Sequence, residues 1–157
     1  MKIWDRNFLV GPTPAKDAYI SSSFRLHRKY AETFGTDWRI LSAWYGITHP
    51  DQLICDYNAK FRVGDLDPSR WWRLQGMFQQ ARALPRFDRA ILLGGKIYRQ
   101  IARKALQGVY LAAEIEEPFA GLDLLKTNCQ IRQLLSEYLS QNHLLQTPKF
   151  IARNVNV

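Results

Sequence analysis

Near-continuous apolar stretches along the chain predict the strands of a buried sheet. The longest cover residues 38–43, 88–94 and 109–115, and residues 8–10 predict a shorter strand near the N-terminus. Strands with apolar side chains on both faces are typical of parallel sheets that helices cover on each side. These stretches therefore favour a central sheet buried between two layers of helices.

Between the apolar stretches, apolar residues recur at the spacing of one helix face. The pattern predicts helices over residues 22–34, 67–84, 95–107 and 124–141. Alternating strands and helices are typical of layered α/β domains. The sequence thus predicts an α/β fold: a single three-layer domain with a mostly parallel central sheet of about four strands flanked by helices.

Length and composition indicate one domain in a reducing compartment. We assign residues 1–142 to the α/β domain and residues 143–157, where the sequence turns polar, to a C-terminal tail. No apolar run approaches the roughly 18 residues of a membrane helix, and the N-terminus lacks the pattern of a signal segment. Cys55 and Cys129 are isolated cysteines. We expect a cytoplasmic protein without a membrane partner.

Polar and aromatic residues gather in residues 42–58, directly after the first long apolar run. In open α/β sheets, ligands bind beyond the carboxyl ends of the strands, and long loops in small domains tend to be functional. The segment is therefore interpreted as a pocket wall, with Asp17 and Tyr19 opposite it. Its candidate ligand-binding residues are Ser42, Trp44, Tyr45, Asp56, Tyr57 and Asn58.

Positive charge is concentrated in residues 62–104, which carry +7 of the chain's net charge of +8. Clustered cations beside aromatic residues are the electrostatic footprint of a polyanion partner. This pattern predicts nucleic acid, with DNA favoured over RNA, although a basic face that only keeps the protein in solution is the alternative. The candidate phosphate contacts in this region are Arg70, Arg73, Lys96, Arg99 and Arg103.

Gly94 and Gly95 lie where a predicted strand turns into a helix, just before Lys96. Glycines allow close approach of the backbone, and a helix N-terminus favours an anion. The pair is a candidate phosphate site, although the spacing of a P-loop is absent and a tight turn alone would also need glycine. No grouping of histidines and cysteines has the spacing of a metal site, so we assign no metal and no cofactor.

One block of the sequence resembles the signature of the YaaA-type peroxide-stress proteins. It is more similar still to a related family of short, uncharacterised bacterial domains. The block reads Leu41-Ser42-Ala43-x-Tyr45-Gly46-Ile47-x-x-Pro50-x-x-x-Ile54-x-x-Tyr57. Supporting pieces lie on both sides in the expected order: residues 14–24, Leu92-Leu93-Gly94-Gly95-Lys96-x-Tyr98 and Pro118-Phe119-x-Gly121-Leu122. Residues 2–11 depart from the pattern, because they lack the polar Ser/Cys/Lys loop that usually follows the first strand.

The resemblance implies oxidative-stress protection and DNA binding. It also implies a fold similar to the uracil-DNA glycosylase superfamily and to domains of deazaguanine tRNA-modification enzymes. These proteins share a basic surface for nucleic acid and a strand-end pocket for one base. A pocket for a flipped base needs stacking aromatics together with polar groups that read the base edge.

Three functional hypotheses follow. The first is a nucleic-acid-acting domain, specifically an N-glycosidase for a modified base in DNA. In it, Asp56 or Asp17 orients water, Asn58 and Ser42 read the base, and Lys96 holds phosphate. Tyr45 or Tyr57 would stack on the base, with Trp44 and Tyr19 beside it. The second is a non-catalytic DNA- or RNA-binding domain, consistent with the altered N-terminal loop. The third is a small nucleotide hydrolase or transferase that uses the same pocket.

Overall fold

Five α-helices dominate the part of the chain that the computed structural model describes, residues 12–145 without the side chains of Trp71, Arg73 and residues 143–145. The helices are α1 (Ala15–Ala18), α2 (Ser22–Phe34), α3 (Gln75–Arg82), α4 (Lys96–Leu106) and α5 (Leu124–Leu145). Short 3₁₀ turns at Val63–Leu66, Pro68–Leu74 and Ala112–Glu114 link them to the strands. The strand predicted at residues 8–10 lies outside the described residues.

The helices begin and end largely where the sequence predicts. Ser21 caps α2, because its hydroxyl accepts a hydrogen bond from the Phe24 N–H at 3.2 Å, and Gly35 ends it. Helix α4 is also confirmed, with Gly95 as its N-cap. The helix predicted from Asp67 is confirmed only in part, because its first half is the 3₁₀ turn and only its second half is α3.

In the described part of the chain, six short strands in three separate pairs replace the predicted sheet. Strands β1 (Thr13–Pro14) and β4 (Leu53–Ile54) pair antiparallel, as do β2 (Ile40–Ser42) and β3 (Gly46–Thr48). Strands β5 (Ala90–Ile91) and β6 (Ile115–Glu116) form a parallel pair. The predicted mostly parallel four-stranded central sheet is therefore wrong; the described fold is a mixed α/β structure.

Local turns explain why the apolar runs do not become long strands. After three residues, β2 turns back as a hairpin, since Ser42 bonds the backbone of the turn and Gly46 adopts a φ of +73°. Residues 109–114 form turns and a 3₁₀ helix instead of a strand, and Tyr110 is buried there. Apolar periodicity cannot separate a three-residue hairpin strand from a buried parallel strand.

The buried residues among those described form three clusters rather than one layered core. The largest lies between α3 and α4 and includes Met77, Ala81 and Ile101. A second surrounds α1, where Tyr19 packs with Ile40 and Ile54. A third joins α2 to α5 around Phe119, Ile131 and Leu135. The second cluster positions the candidate site, because it joins the loop before α2 to the β2–β3 hairpin.

Candidate functional site

The turn between β2 and β3 is held by the side chain of Ser42, which is 1% exposed. Its Oγ accepts hydrogen bonds from the backbone N–H groups of Trp44 at 3.2 Å and Tyr45 at 3.0 Å. Serine favours such turns because its hydroxyl competes well for nearby backbone groups. Ser42 therefore shapes the turn, while Trp44 at its tip is 69% exposed.

Tyr45 links this turn to the segment that carries Asp56 and Asn58. Its hydroxyl accepts from the Cys55 N–H at 3.0 Å and donates to the Cys55 carbonyl at 3.3 Å. The Tyr45 ring also meets the Tyr57 ring edge-on, with centroids 5.5 Å apart. Two stretches ten residues apart in sequence thus become one surface.

Tyr19, Ser42 and Tyr57 form a hydroxyl cluster at the base of this surface. The hydroxyl oxygens of Tyr19 and Tyr57 lie 2.6 Å apart, and Ser42 donates to the Tyr57 hydroxyl at 3.0 Å. Burial, followed by the hydrogen bond to Tyr57, raises the pKa of Tyr19 far above its ordinary value. Tyr19 therefore stays protonated at neutral pH and acts as a hydrogen-bonding group.

Asp56 and Asn58 lie on either side of Tyr57 with exposed side chains. Within residues 12–145, neither side chain forms a hydrogen bond or an ion pair. Asp17 differs, because its carboxylate receives a 2.8 Å hydrogen bond from Arg28, which also binds Glu32. Of the carboxylates predicted to act on water, Asp56 is the one that the described fold leaves unpaired.

The N-terminus of α4 lies close to the hydroxyl cluster. Tyr98, in the first turn of α4, contacts the Phe61 ring at a centroid distance of 5.1 Å. Burial raises its pKa, and the nearby Tyr57 raises it further. Gly95 caps α4 without a side-chain hydrogen bond, and Lys96 beside it is exposed. The Arg99 guanidinium also donates to the Gly94 carbonyl at this helix end, where backbone N–H groups favour an anion.

Arg99 and Arg103, two of the predicted phosphate contacts, are not exposed in the way that Lys96 is. Arg99 is only 9% exposed, and both arginines donate to the carboxylate of Glu117, at 3.0 Å and 2.8 Å. Burial acts to raise the pKa of Glu117, but the hydrogen bonds from Arg103 and Arg99 outweigh it and hold the pKa below its ordinary value. The two arginines therefore serve an internal ion-pair network.

Glutamates just beyond residue 104 pair with other cations of the basic region. Arg86 binds Glu114 at 3.0 Å, and Arg89 lies 3.4 Å from Glu116. The parallel β5–β6 pair brings these residues together, which a charge count along the sequence cannot show.

Arg70 is exposed without an ion pair among the described residues. The Arg73 side chain and residues 2–11, with their altered loop, lie outside what the structure describes.

Sequence reasoning missed three residues that organise the site: Tyr98, Gln80 and Glu117. Tyr98 reads as an ordinary residue of an apolar helix face, although its position two residues after Lys96 places it in the same helical turn. Gln80 accepts a hydrogen bond from the Ile47 N–H, and Glu117 accepts one from Arg99. Both contacts join residues that are distant in sequence. No local signal marks either of them.

Comparison with known proteins places the chain in a family without an assigned activity. A model described as a family of unknown function (DUF6884) matches residues 9–133, and the chain belongs to this family. It is 35% identical over 101 residues to an uncharacterized protein of Bacillus subtilis (strain 168), YfjM, an alignment covering 64% of this chain and 67% of that protein. No solved structure matches the chain. Among residues 12–145, no helix has the length and apolar character needed to cross a bilayer.

Proposed function

We propose that this DUF6884 protein is a nucleic-acid-acting domain that hydrolyses the N-glycosidic bond of a modified base in DNA. The observation that carries the proposal is that Asp56 and Asn58, exposed on either side of Tyr57 in the segment that joins the hydroxyl cluster, have no side-chain partner among residues 12–145. A carboxylate can orient or activate water, and an amide can both donate to and accept from a base edge. The resemblance to YaaA-type and uracil-glycosylase-like proteins supports the same chemistry.

Aromatic and cationic groups nearby suit the remaining parts of a nucleotide. Trp44 is 69% exposed beside the cluster and offers a face on which a base can stack. Lys96 and the open N-terminus of α4 suit a phosphate. In this proposal the base lies against the surface of residues 44–58, the phosphate lies at α4, and Asp56 directs water to the glycosidic carbon.

A non-catalytic DNA- or RNA-binding domain is the second candidate, and one observation favours it. Trp44, Asp56 and Asn58 are all exposed, whereas enzymes that act on a base hold it in an enclosed pocket. Stacking on an exposed tryptophan together with phosphate contacts is sufficient for binding single strands. The net charge of +8 suits this function equally well.

Base release from a panel of modified-base oligonucleotides distinguishes the two candidates. The purified protein is incubated with single- and double-stranded DNA that carries one modified base, and free base is measured by mass spectrometry. Binding is followed in parallel by fluorescence anisotropy. Release of one base supports the enzyme. Salt-dependent binding without release from any substrate supports the binding domain, and hydrolysis of free nucleotides alone would contradict both.

A further inference from the structure

The exposed carboxylate of Asp56 has no group that orients it among residues 12–145, where its side chain forms neither a hydrogen bond nor an ion pair. A carboxylate that directs water has to be held within about 0.5 Å of its working position. For Asp56, that order has to come from the backbone on either side of it. The residue directly before it, Cys55, is where the fold supplies such a support.

The Tyr45 hydroxyl bonds both backbone polar groups of Cys55. It accepts from the Cys55 N–H at 3.0 Å and donates to the Cys55 carbonyl at 3.3 Å. A phenol can do both at once, because it carries one proton and free lone pairs. The Cys55 carbonyl lies in the same rigid peptide plane as the nitrogen and the Cα of Asp56. By fixing that carbonyl, the Tyr45 hydroxyl orients the plane from which the Asp56 side chain projects.

Tyr45 can serve as a support because its own backbone is held on both sides. Its N–H donates to Ser42 Oγ at 3.0 Å, and its carbonyl accepts from Gln80 Nε2 at 3.0 Å. Its ring packs edge-on against Tyr57, with centroids 5.5 Å apart. Only two side-chain torsions separate this fixed backbone from the hydroxyl. The hydroxyl is thus placed relative to α3, the helix that carries Gln80.

We infer that Tyr45 is a positioning residue, whose hydroxyl holds the peptide between Cys55 and Asp56 so that the Asp56 carboxylate is presented in one orientation. This inference rests on the proposed function, because it concerns the carboxylate that directs water there. A reacting group displaced by about 1 Å can lose about a hundredfold in rate. Loss of the hydroxyl should therefore slow the chemical step and leave the binding of DNA intact.

Backbone NMR tests this support without requiring any activity. Tyr45→Phe removes the hydroxyl and keeps the ring. Loss of the hydrogen bond should speed hydrogen exchange of the Cys55 amide by about fivefold. The backbone order parameter of Asp56 should fall from about 0.85, the value of rigid backbone, to below about 0.6. Tyr30→Phe, which removes a hydroxyl from a half-buried ring on α2, is the control and should leave both values unchanged.

The kinetics of base release test whether the support serves the chemistry. In Tyr45→Phe, kcat should fall by about ten- to a hundredfold, while KM and DNA affinity stay within about twofold of the wild type. Adding Tyr45→Phe to Asp56→Asn should lower kcat no further, because the hydroxyl acts through that carboxylate. A general loss of structure would instead raise KM as well and would also lower kcat in the double variant.

These measurements separate the inference from the proposed function. Unchanged exchange at Cys55 and an unchanged order parameter at Asp56 overturn the role of Tyr45, whatever the activity. So does a wild-type kcat in Tyr45→Phe, or an equal fall in kcat in the Asp56→Asn background. Wild-type protein that releases no base overturns the proposed function, and the NMR measurements alone then decide whether Tyr45 holds Asp56 in place.

Discussion

The side-chain amide of Gln80 lies against Gly46 and hydrogen-bonds the backbone on both sides of it. Its Oε1 accepts from the Ile47 N–H at 2.8 Å, and its Nε2 donates to the Tyr45 carbonyl at 3.0 Å. Gly46 has a φ of +73°, and a Cβ there would come within 2.1 Å of Gln80 Oε1. Helix α3 thus fixes the hairpin turn that presents Trp44.

Gly46→Ala is expected to destabilise the protein substantially. The left-handed conformation costs a non-glycine residue about 1–2 kcal/mol. Each hydrogen bond that is lost as Gln80 moves away costs about 0.5–1.5 kcal/mol more. Urea unfolding followed by tryptophan fluorescence measures the change. Gly76→Ala is the matched control, since Gly76 lies in α3 with open space around it. This control should stabilise the protein by about 0.5–1 kcal/mol, and equal destabilisation by both variants would contradict the role of Gly46.

Acid should weaken the fold through Glu117. Its pKa in the folded state lies below the ordinary value of 4.5 because Arg103 and Arg99 outweigh the effect of burial. The unfolded chain therefore binds a proton at Glu117 more readily than the folded chain does. The stabilisation that ionised Glu117 gives the fold is fully present above about pH 4.5, and it is lost as the pH falls through the lower pKa of the folded state. The free energy of unfolding, measured from pH 7 to pH 3, should fall less steeply with acid in Glu117→Gln. Identical slopes in variant and wild type would rule out the coupling.

The ion pair of Glu117 also shows where sequence reasoning reaches its limit. Residues 62–104 read as a basic surface, but folding brings Glu114, Glu116 and Glu117 against four of its arginines. A charge count along the chain cannot include partners that tertiary contacts supply. Helix limits, in contrast, depend on caps and local periodicity, which explains why α2 and α4 were predicted closely.

The candidate site was also predictable only in part. The sequence indicated that Tyr19, Ser42, Tyr45 and Tyr57 belong together. In the structure, hydrogen bonds connect Tyr19, Ser42 and Tyr57, and a ring contact adds Tyr45. It did not show that Ser42 is a buried turn residue. The predicted parallel sheet failed because an apolar run does not reveal where the chain reverses, which here depends on Gly46 and its contact with Gln80.

Lys96→Glu should weaken DNA binding without affecting stability. Lys96 is exposed and, within residues 12–145, has no ion pair, whereas Arg99 and Arg103 hold Glu117 and would disturb the fold if replaced. Loss of one phosphate contact should reduce the slope of log affinity against log salt by about 0.7–0.9. Lys29→Glu makes the same charge change on α2 and is the control. Equal weakening by both variants would indicate a general effect of net charge instead of a contact at α4.

The most direct test of the account is base release by Asp56→Asn, with Asp88→Asn as the control for an exposed aspartate elsewhere. Asp56→Asn keeps the shape of the side chain but removes the carboxylate that would direct water. Base release should therefore fall at least about a hundredfold, while DNA affinity stays within about twofold of the wild type. Asp88→Asn should release base at the wild-type rate. Release that persists unchanged in Asp56→Asn, or wild-type protein that binds every modified substrate and releases no base, would contradict the proposed glycosidase.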